Sequence, residues 1–535
     1  MNGPREMRFR WSSPRVLFAL WLALLLLSLL TRPLLPVDET RYLGVAWEMW
    51  RRGDFLVPYL NGAPYSDKPP LFFWLIHAGW WVLGVNEWWP RSVAALASLA
   101  ALWATALLAR RLWPQDIPAR RWVPWVLFGC IVWTAFYTWV QFDMLLVLFV
   151  VLAMIGLVDA AQQRCRGWLL VGLSLGLGGL AKGPVILLHV LPAALLAPLW
   201  VRDRPRSWWS WYGGLGASLL LGVVIAFAWV LPAAHSGGAA YRSAILWGQT
   251  ADRVVNALAH AHPWWWYFPW LPVLFAPWLL LPWLWGPLWR VLCAPRDAGA
   301  SLCLVWLGST LLIMSLVSGK QLKYLLPLLP AFALLVARVL SQAEHAGMTQ
   351  RPRALAGLLL LGGSALAAAP YVFASPPWAG LLSPLWGIAL GAGAVPLAVM
   401  KPLRMEQYPF AIVLLSAGVV VVMSLGVFRV ATPAYDLREA SRVIAAAEVA
   451  GQPVASLSGY HGQFGFYGRL GRPIENLSPE QASAWFRDHP EGSVIAYYPG
   501  RVPGHSTPVY EQPYRGGRLV IWKARVLAAD PALLP

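Results

Sequence analysis

The hydrophobic pattern of the chain is a series of long apolar runs separated by short charged segments. The first run, VLFALWLALLLLSLL, follows an arginine-rich N-terminus, and later runs lie near 92–110, 122–138, 142–160, 168–181, 184–200, 212–233, 267–289, 299–317, 323–342, 353–373, 380–399 and 408–428. A helix that crosses a bilayer needs roughly 20 apolar residues. The pattern therefore predicts a polytopic α-helical membrane protein with about 13 spans.

One apolar run, LFFWLIHAGWWVLG at 71–84, is too short for a span of that length. If it does not span, all of the basic clusters at 110–121, 164–166, 202–206, 290–296, 351–353 and 401–404 fall on the same side as the N-terminus. The positive-inside rule makes that side the cytoplasm. We therefore predict an interfacial or re-entrant helix at 71–84, a cytoplasmic N-terminus and a C-terminal segment on the outer side.

The pattern changes after about residue 428. The segments 436–449 and 478–489 predict amphipathic helices, the second with the capping-box residues Ser478 and Gln481. The segments 454–460, 492–498 and 518–524 predict strands. We expect a membrane domain at 1–428, with an outer-face catalytic loop at 36–91, and a small soluble α/β domain outside the membrane at 429–535.

Composition supports the membrane assignment and limits the partners. The chain is 58% hydrophobic and 12% charged, and a soluble protein of this size carries roughly twice that charged fraction. A net charge of +18 would suggest nucleic acid in a soluble protein. Here the charge is explained by cytoplasmic anchoring, so no nucleic-acid partner is expected. The four cysteines have no metal-site spacing, and we expect no disulfide.

The predicted topology leaves charged residues at the outer face that anchoring does not explain. They are Asp38, Glu39, Arg41, Lys68, Arg91, Asp143, Lys182, Arg242, Asp252, Arg253, Lys320 and Lys323. An anionic ligand at the outer face is the simplest reason for so many cations there.

The acidic members of this set are candidates for catalysis. Asp38 and Glu39 follow the first span, and Asp143 begins another. Each aspartate could simply start a helix. Two carboxylates facing one cavity would instead suit acid–base work or a divalent metal ion.

Several cations precede helix-breaking residues. Lys68 stands before Pro69-Pro70, and Lys182 before Gly183-Pro184. A lysine held in this way suits a phosphate, although snorkelling to the interface is an alternative. In the outer loop, His260 and His262 could bind a metal, and the following WWWYFPW could form an aromatic belt or hold a lipid chain or sugar ring.

The order of these motifs resembles a known family. DETRY, GDFLVPYLNGAPYSDKPPLFFWL, Asp143 at a span start, LAKGP, RV…H…PWWWYFP and SGKQLKYLLP are similar to motifs of GT-C lipid-linked-sugar glycosyltransferases. The likeness is to the 4-amino-4-deoxy-L-arabinose (lipid A) transferases, which are related to protein O-mannosyltransferases. It implies an enzyme at the outer face of the bacterial inner membrane that moves a sugar from a polyprenyl-phosphate donor to an envelope acceptor, with lipid A phosphate as the first choice.

The resemblance also implies residue roles. Asp38 matches the catalytic aspartate, Lys68 the donor-phosphate lysine, Asp143 the second acidic position, and His260 a histidine that can join a metal site. We predict catalysis by Asp38, Glu39 and Asp143, donor-phosphate binding by Arg41, Lys68, Lys182, Arg253 and Lys320, and a substrate cavity lined by Tyr42, Tyr65, Asp67, Trp266, Tyr267 and Tyr324. A divalent metal ion is one option as cofactor, no nucleotide is expected, and a monomer is expected.

The chain departs from the lipid A enzymes at three places. It has Gln249-Thr250 where close relatives read Glu-His, Ser66-Asp67 where they have Phe-Glu, and Gln321-Leu322-Lys323 where they favour Leu-Pro-Thr. Sugar and acceptor therefore stay open, and a hydroxyl acceptor on a protein or glycan is an alternative. A transporter or flippase of a lipid-linked anion is the alternative from another class.

Overall fold

A computed structural model describes residues 13–202, 207–248, 261–293, 297–373 and 375–535. The predicted site residues Arg253 and His260, and the departure at 249–250, lie outside these ranges.

The first half of the chain is helical apart from one short hairpin. Its helices are α1 (Pro14–Thr31), α2 (Asp38–Arg52), α3 (Leu71–Leu83), α4 (Trp88–Leu112), α5 (Ile117–Gly129), α6 (Ile131–Phe136), α7 (Asp143–Ala161), α8 (Arg166–Lys182), α9 (Val185–Leu195), α10 (Trp208–Ser236) and α11 (Gly238–Ser243). The antiparallel hairpin pairs β1 (Tyr59–Leu60) with β2 (Ala63–Pro64).

The second half continues the bundle and ends in a sheet. Its helices are α12 (Leu271–Leu274), α13 (Pro282–Cys293), α14 (Ala298–Leu316), α15 (Leu329–His345), α16 (Arg353–Val372), α17 (Pro384–Ala392), α18 (Ala394–Val399), α19 (Tyr408–Val422), α20 (Arg429–Ala431), α21 (Arg438–Val449), α22 (Pro479–Asp488) and α23 (Ala524–Ala529). The short strands β3 (Thr349–Gln350) and β4 (Leu403–Arg404) pair with each other.

Eight helical stretches in the described ranges are long and apolar enough to cross a membrane by length and composition. They are Pro14–Thr31, Trp88–Leu112, Asp143–Ala161, Trp208–Ser236, Ala298–Leu316, Leu322–His345, Arg353–Val372 and Tyr408–Val449. The other predicted runs also contain helices, but these are shorter or interrupted, as at Cys130 between α5 and α6. The polytopic helical fold is confirmed, and the count of 13 spans stays a prediction.

The segment between α1 and α4 forms a layer at one end of the bundle. α2 begins with Asp38 and Glu39, whose charges suit the helix dipole, and it ends at Gly53 in the left-handed conformation with φ 67°. α3 has 13 residues, about 20 Å of helix, which is shorter than the bilayer core. It lies against α2, where His77 Nε2 is 2.9 Å from the carbonyl oxygen of Ala46.

The C-terminal domain is a five-stranded mixed sheet between helices. The strand order is β6 (Glu475–Asn476), β5 (Val454–Ser456), β7 (Ser493–Tyr498), β9 (Gly517–Lys523), β8 (Tyr510–Tyr514). β5 is parallel to β6 and β7, whereas β9 is antiparallel to β7 and β8. α21 contributes to one apolar core and α22 and α23 to another.

The local sequence pattern correctly predicts most of the helices and strands of the C-terminal domain. The capping box of Ser478 and Gln481 is present, and both predicted helices form. The strand predicted at 454–460 ends at Ser456, and the sequence pattern did not indicate β6 or β8. Helical turns at 423–434 lead from α19 towards α21, so the predicted domain boundary at 428–429 stays a prediction.

The C-terminal domain is docked on the layer formed by α2, α3 and the hairpin. The hydroxyl of Tyr467 donates to Glu87 at 3.0 Å and accepts from the backbone N–H of Leu34 at 3.0 Å. Phe466 stacks on Trp80 with ring centroids 5.7 Å apart. The domain therefore fixes the layer that carries Asp38.

Candidate active site

Asp38 is the centre of an ion cluster at the start of α2. Its Oδ1 accepts a hydrogen bond from Arg41 Nη2 at 2.7 Å, one turn along the same helix. Its Oδ2 accepts from Lys323 Nζ at 3.0 Å. The Asp38 side chain is 39% exposed, so solvent and a substrate can reach it.

The cations around Asp38 keep it ionised. Burial would raise the pKa of Asp38, but the charge and hydrogen bond of Lys323, followed by the charges of Arg41 and Lys68, outweigh it. The pKa of Asp38 is therefore below its usual range. The carboxylate is an anion at neutral pH, and it is the accessible one of the site.

A second ion pair lies beside the first. Asp143 is the first residue of α7 and is buried, and its Oδ1 accepts from Lys182 Nζ at 2.5 Å. Lys182 Nζ lies 4.9 Å from the ring centroid of Tyr324, the neighbour of Lys323 in sequence. The segment 323–324 thus brings the two ion pairs together.

The end of α8 explains where Lys182 points. The next residue, Gly183, has φ +81°, a conformation that side chains rarely adopt, and Pro184 precedes α9. The helix therefore stops at Lys182, and its ammonium is turned to the start of α7. The predicted break at Gly183-Pro184 is present.

Glu39 has a different environment from Asp38. Its side chain is buried and forms a two-pronged ion pair with Arg32. The same carboxylate accepts the backbone N–H of Leu35 at 2.8 Å and that of Val140 at 2.7 Å. These four bonds occupy the acceptor positions of both oxygens. Glu39 therefore joins the end of α1, the start of α2 and the loop before α7. This geometry indicates a structural role, and the catalytic role of Glu39 stays a prediction.

The residues after the hairpin line the approach to Asp38. Lys68 is half-buried, donates to the carbonyl oxygen of Asp67 at 3.1 Å, and is near enough to Asp38 to lower its pKa. Tyr65 is buried near Arg41. Burial would lower the pKa of Arg41, but its interactions with Tyr65, Tyr42 and Asp38 outweigh burial and raise it.

Tyr42 packs beneath the start of α2, next to Asp38. It is buried and packs edge-on against Phe142 with centroids 4.9 Å apart. The guanidinium of Arg41 lies 5.5 Å from the Tyr42 ring centroid. Burial, followed by the charge of Asp38, raises the pKa of Tyr42 well above its usual value. Its hydroxyl therefore stays protonated at neutral pH.

The side chain of Lys320 is bound to backbone carbonyl oxygens. Lys320 is buried and donates to the carbonyl oxygens of His262 at 2.9 Å and Val317 at 2.5 Å. Tyr267 is buried, and its hydroxyl lies 3.4 Å from the carbonyl oxygen of Gln321. Trp266 is half-buried and T-shaped to Tyr267 at 5.2 Å. Lys320 thus has two of its three donors on backbone oxygens, and its phosphate role stays a prediction.

Lys323 belongs to the cluster around Asp38, but the sequence did not assign it to the site. The sequence placed it among the outer-face charges, and it is one of the positions where the chain departs from the lipid A enzymes. The available indication was its position, four residues before Pro327 and next to Tyr324. Pattern alone did not show that it reaches Asp38, since 285 positions separate the two residues.

The described residues do not fit a divalent ion held between Asp38 and Asp143. Each carboxylate already has a lysine partner, which supplies the positive charge that a metal would bring. In the described part of the chain, no group of three or more His, Cys, Asp or Glu side chains is close enough to hold a metal. His260, the predicted metal ligand, lies outside that part.

The arrangement combines one accessible carboxylate with several cations on a rigid frame. The carboxylate can orient or deprotonate an attacking group. The cations can stabilise a phosphate, and preorganised positive charge is most effective on a leaving anion.

Comparisons with known proteins agree with this chemistry. A family model described as dolichyl-phosphate-mannose-protein mannosyltransferase matches residues 67–231. Undecaprenyl phosphate-α-4-amino-4-deoxy-L-arabinose arabinosyl transferase 1 of Pseudomonas fluorescens Pf0-1 is 33% identical over 345 residues, 62% of this chain and 58% of that protein. The corresponding transferase of Pseudomonas aeruginosa UCBPP-PA14 is 32% identical over 377 residues, 68% of this chain and 66% of that protein. The matched stretches span less than two thirds of these relatives' own length.

The fold comparison covers nearly the whole chain. The crystal structure of ArnT from Cupriavidus metallidurans bound to undecaprenyl phosphate has a TM-score of 0.75 at 17% identity, over 95% of this chain and 97% of that one. Its apo state gives the same TM-score over 96% and 98%. The chain has the GT-C fold. It is a multi-pass membrane protein that resembles the aminoarabinose transferases in sequence and in architecture, as the motif order predicts.

Proposed function

We propose that the protein is an integral-membrane glycosyltransferase that moves a sugar from a polyprenyl-phosphate donor to an envelope acceptor. The acceptor that we propose is a lipid A phosphate and the sugar is 4-amino-4-deoxy-L-arabinose. One observation carries the proposal: an accessible carboxylate, Asp38, lies within hydrogen-bond distance of Arg41 and Lys323, beside the pair of Asp143 and Lys182, in a GT-C fold.

The donor proposal is supported by the cations and by the relatives. The names of the relatives specify undecaprenyl phosphate-linked aminoarabinose, and the ArnT structure contains undecaprenyl phosphate. A lipid phosphate leaving group needs positive charge as the glycosidic bond breaks. Arg41, Lys68 and Lys323 supply it around Asp38, with Lys182 one ion pair away.

The reaction follows from this charge arrangement. The bond between the anomeric carbon and the donor phosphate oxygen breaks, and its electron pair leaves with the phosphate. The acceptor oxygen forms the new bond to the anomeric carbon from the opposite face, with inversion expected. A hydroxyl acceptor would give its proton to Asp38. A phosphate acceptor is already an anion, and Asp38 would then orient it through Arg41 and Lys323.

The proposed location is the bacterial inner membrane, with the site on the outer face, the N-terminus in the cytoplasm and the C-terminal domain in the periplasm. The exposed cysteines Cys165 and Cys293 provide a direct test. A membrane-impermeant maleimide applied to intact spheroplasts should not label them but should label a cysteine introduced at the exposed Ser483. The reverse labelling would overturn the topology.

A second acceptor class is favoured by the family model. The model describes enzymes that mannosylate proteins, and it spans the segment from Asp67 through Asp143 and Lys182. The departures at 66–67 and 321–323 lie in the site itself, beside Lys68 and at Lys323. A hydroxyl acceptor on a protein or glycan is therefore the alternative within the same chemistry.

The deciding experiment is sugar transfer by the purified protein in detergent or vesicles. A polyprenyl-phosphate aminoarabinose donor is supplied with lipid A, and the products are identified by mass spectrometry. We expect lipid A with one added pentosamine, and Asp38→Asn should abolish transfer while Asp488→Asn, an exposed aspartate on the C-terminal domain, should not. Movement of intact donor across vesicles without transfer would instead indicate a flippase.

A further inference from the structure

A pocket of about 70 Å³ lies between α2, the β1–β2 hairpin and the C-terminal domain. It is lined by one face of α2, including Gly44, Glu48 and Arg51, and by the loop of the C-terminal domain that contains Arg472. One water molecule needs about 10–15 Å³ of volume measured in this way, so the pocket can hold several waters or an oxyanion of the size of phosphate.

The charge of this pocket is unbalanced. Its lining holds three guanidinium groups and one carboxylate. A second carboxylate, Glu448, lies behind the lining and accepts the backbone N–H groups of Gly471 and Arg472 at 2.9 and 3.0 Å. Arg52 pairs with the carboxylate of the lining, since its Nε and Nη2 lie 3.0 and 2.8 Å from Glu48 Oε1. Within the described ranges, the guanidinium groups of Arg51 and Arg472 have neither a hydrogen bond nor an ion pair. Two unpaired guanidinium groups therefore border one small pocket.

The walls of the pocket are fixed by contacts between the two domains. The side chain of Asn61 donates to the carbonyl oxygen of Ile474 at 2.8 Å and accepts from its N–H at 2.7 Å. Trp47 Nε1 donates to the carbonyl oxygen of Leu470 at 3.0 Å. A Cβ at Gly44 would lie 2.8 Å from a backbone oxygen of the facing loop, so the helix approaches there as closely as a glycine allows. The backbone around the pocket is therefore fixed, whereas the side chains of Arg51 and Arg472 are exposed and can turn towards an anion.

We propose that this pocket binds a phosphate group through Arg51 and Arg472. Guanidinium groups match the geometry of phosphate oxygens and can bind them in a bidentate way. The pairing of Arg52 with Glu48 leaves the net charge of the lining positive. The pocket then supplies an anion site that is separate from the donor-phosphate cluster at Asp38.

The helix connects this pocket to the candidate active site. Arg41, Gly44, Glu48 and Arg52 are spaced as one stripe along α2. At 1.5 Å per residue, Gly44 lies about 9 Å and Arg51 about 20 Å along the axis from Asp38. A phosphate bound there would belong to the same acceptor molecule. This assignment rests on the proposed function, because it makes the pocket the site of a second phosphate on the acceptor lipid.

The test compares two double variants of equal charge. Arg51→Gln/Arg472→Gln removes the unpaired cations of the pocket. Arg487→Gln/Arg501→Gln removes two exposed cations that do not line it. Transfer is measured with acceptors carrying one or two phosphates. For the pocket variant we expect the KM of the two-phosphate acceptor to rise about tenfold. Its kcat, the donor KM and the KM of the one-phosphate acceptor should be unchanged, as should all values of the control variant.

A second measurement separates the sources of the phosphate. Thermal unfolding is followed with and without inorganic phosphate. A stabilisation by phosphate that the pocket variant loses, with no change in acceptor KM, would assign the pocket to free phosphate and overturn the acceptor role. No change in either measurement would overturn the site altogether. If the wild type transfers no sugar, the proposed function fails, and phosphate-dependent unfolding still decides whether the pocket binds an anion.

Discussion

Lys323 Nζ lies 3.0 Å from Asp38 Oδ2, although 285 positions separate the two residues. The contact joins the start of α2 to the helical turn that precedes α15. It gives the accessible carboxylate of the site a permanent counter-charge. In the proposed reaction, the same cation would stabilise the leaving lipid phosphate.

Replacing Lys323 by methionine should lower kcat/KM by about 10–100-fold, because a charge-assisted hydrogen bond of about 1.5–3 kcal/mol is lost. The measurement is steady-state transfer by the purified variant. Lys401→Met, an exposed lysine outside the site, is the matched control and should keep wild-type activity. Wild-type kcat/KM in Lys323→Met would show that the contact is not used in the reaction.

The pH dependence of transfer should report the same contact. The lowered pKa of Asp38 keeps the carboxylate ionised below the usual aspartate range. Activity that depends on ionised Asp38 should therefore be lost only in acid. Lys323→Met removes the main cause of the lowering and leaves burial, which raises the pKa. The acid limb of kcat/KM should move to higher pH in the variant, and a shift to lower pH would contradict this assignment.

Asp143 and Lys182 should behave as one unit. Their side chains are both largely buried and lie 2.5 Å apart, so removing either partner leaves a charge without its pair. Asp143→Asn and Lys182→Met should each lower transfer strongly, and the double variant should be little worse than the poorer single one. Effects on activation free energy that add to within about 0.5 kcal/mol would show that the residues act independently.

Replacing Glu39 should lower the stability of the protein more than its catalytic rate. Glu39→Gln leaves Arg32 buried without its partner, which costs about 3–5 kcal/mol in comparable pairs. The melting temperature in detergent should fall markedly. Arg32→Gln/Glu39→Gln removes both charges and should recover part of the loss. If Glu39→Gln kept wild-type stability but transferred no sugar, the result would support the predicted catalytic role of Glu39.

A chelator tests whether the reaction needs a divalent ion, which the sequence left as one option. Because Asp38 and Asp143 each have a lysine partner, we expect transfer to be unchanged after treatment with EDTA and dialysis. A loss of activity that Mg²⁺, Mn²⁺ or Zn²⁺ restores would indicate a metal site that includes residues other than these two. His260→Ala, assayed alongside, would show whether that histidine is a ligand.

The sequence by itself determined the polytopic helical fold, and it indicated most of the charged residues that the structure brings together in the candidate site. Long apolar runs must be buried in lipid or in protein, so their length and number were sufficient to predict a polytopic helical fold. Charge supplied the predicted orientation. The capping box at Ser478 was equally local. The sequence singled out Asp38, Lys68, Asp143 and Lys182, because a charged residue beside an apolar span is costly and therefore indicates a functional site.

Only the tertiary structure decided which charges meet. Adjacent in sequence, Asp38 and Glu39 look alike, yet successive side chains leave a helix about 100° apart. Asp38 therefore lies in the accessible cluster with Lys323, and Glu39 is buried against Arg32. The partner of each carboxylate comes from a distant segment, and no local pattern specifies that distance. The pocket beside Arg51 and Arg472 could not be predicted from local pattern either, because it forms only where the membrane domain contacts the C-terminal domain.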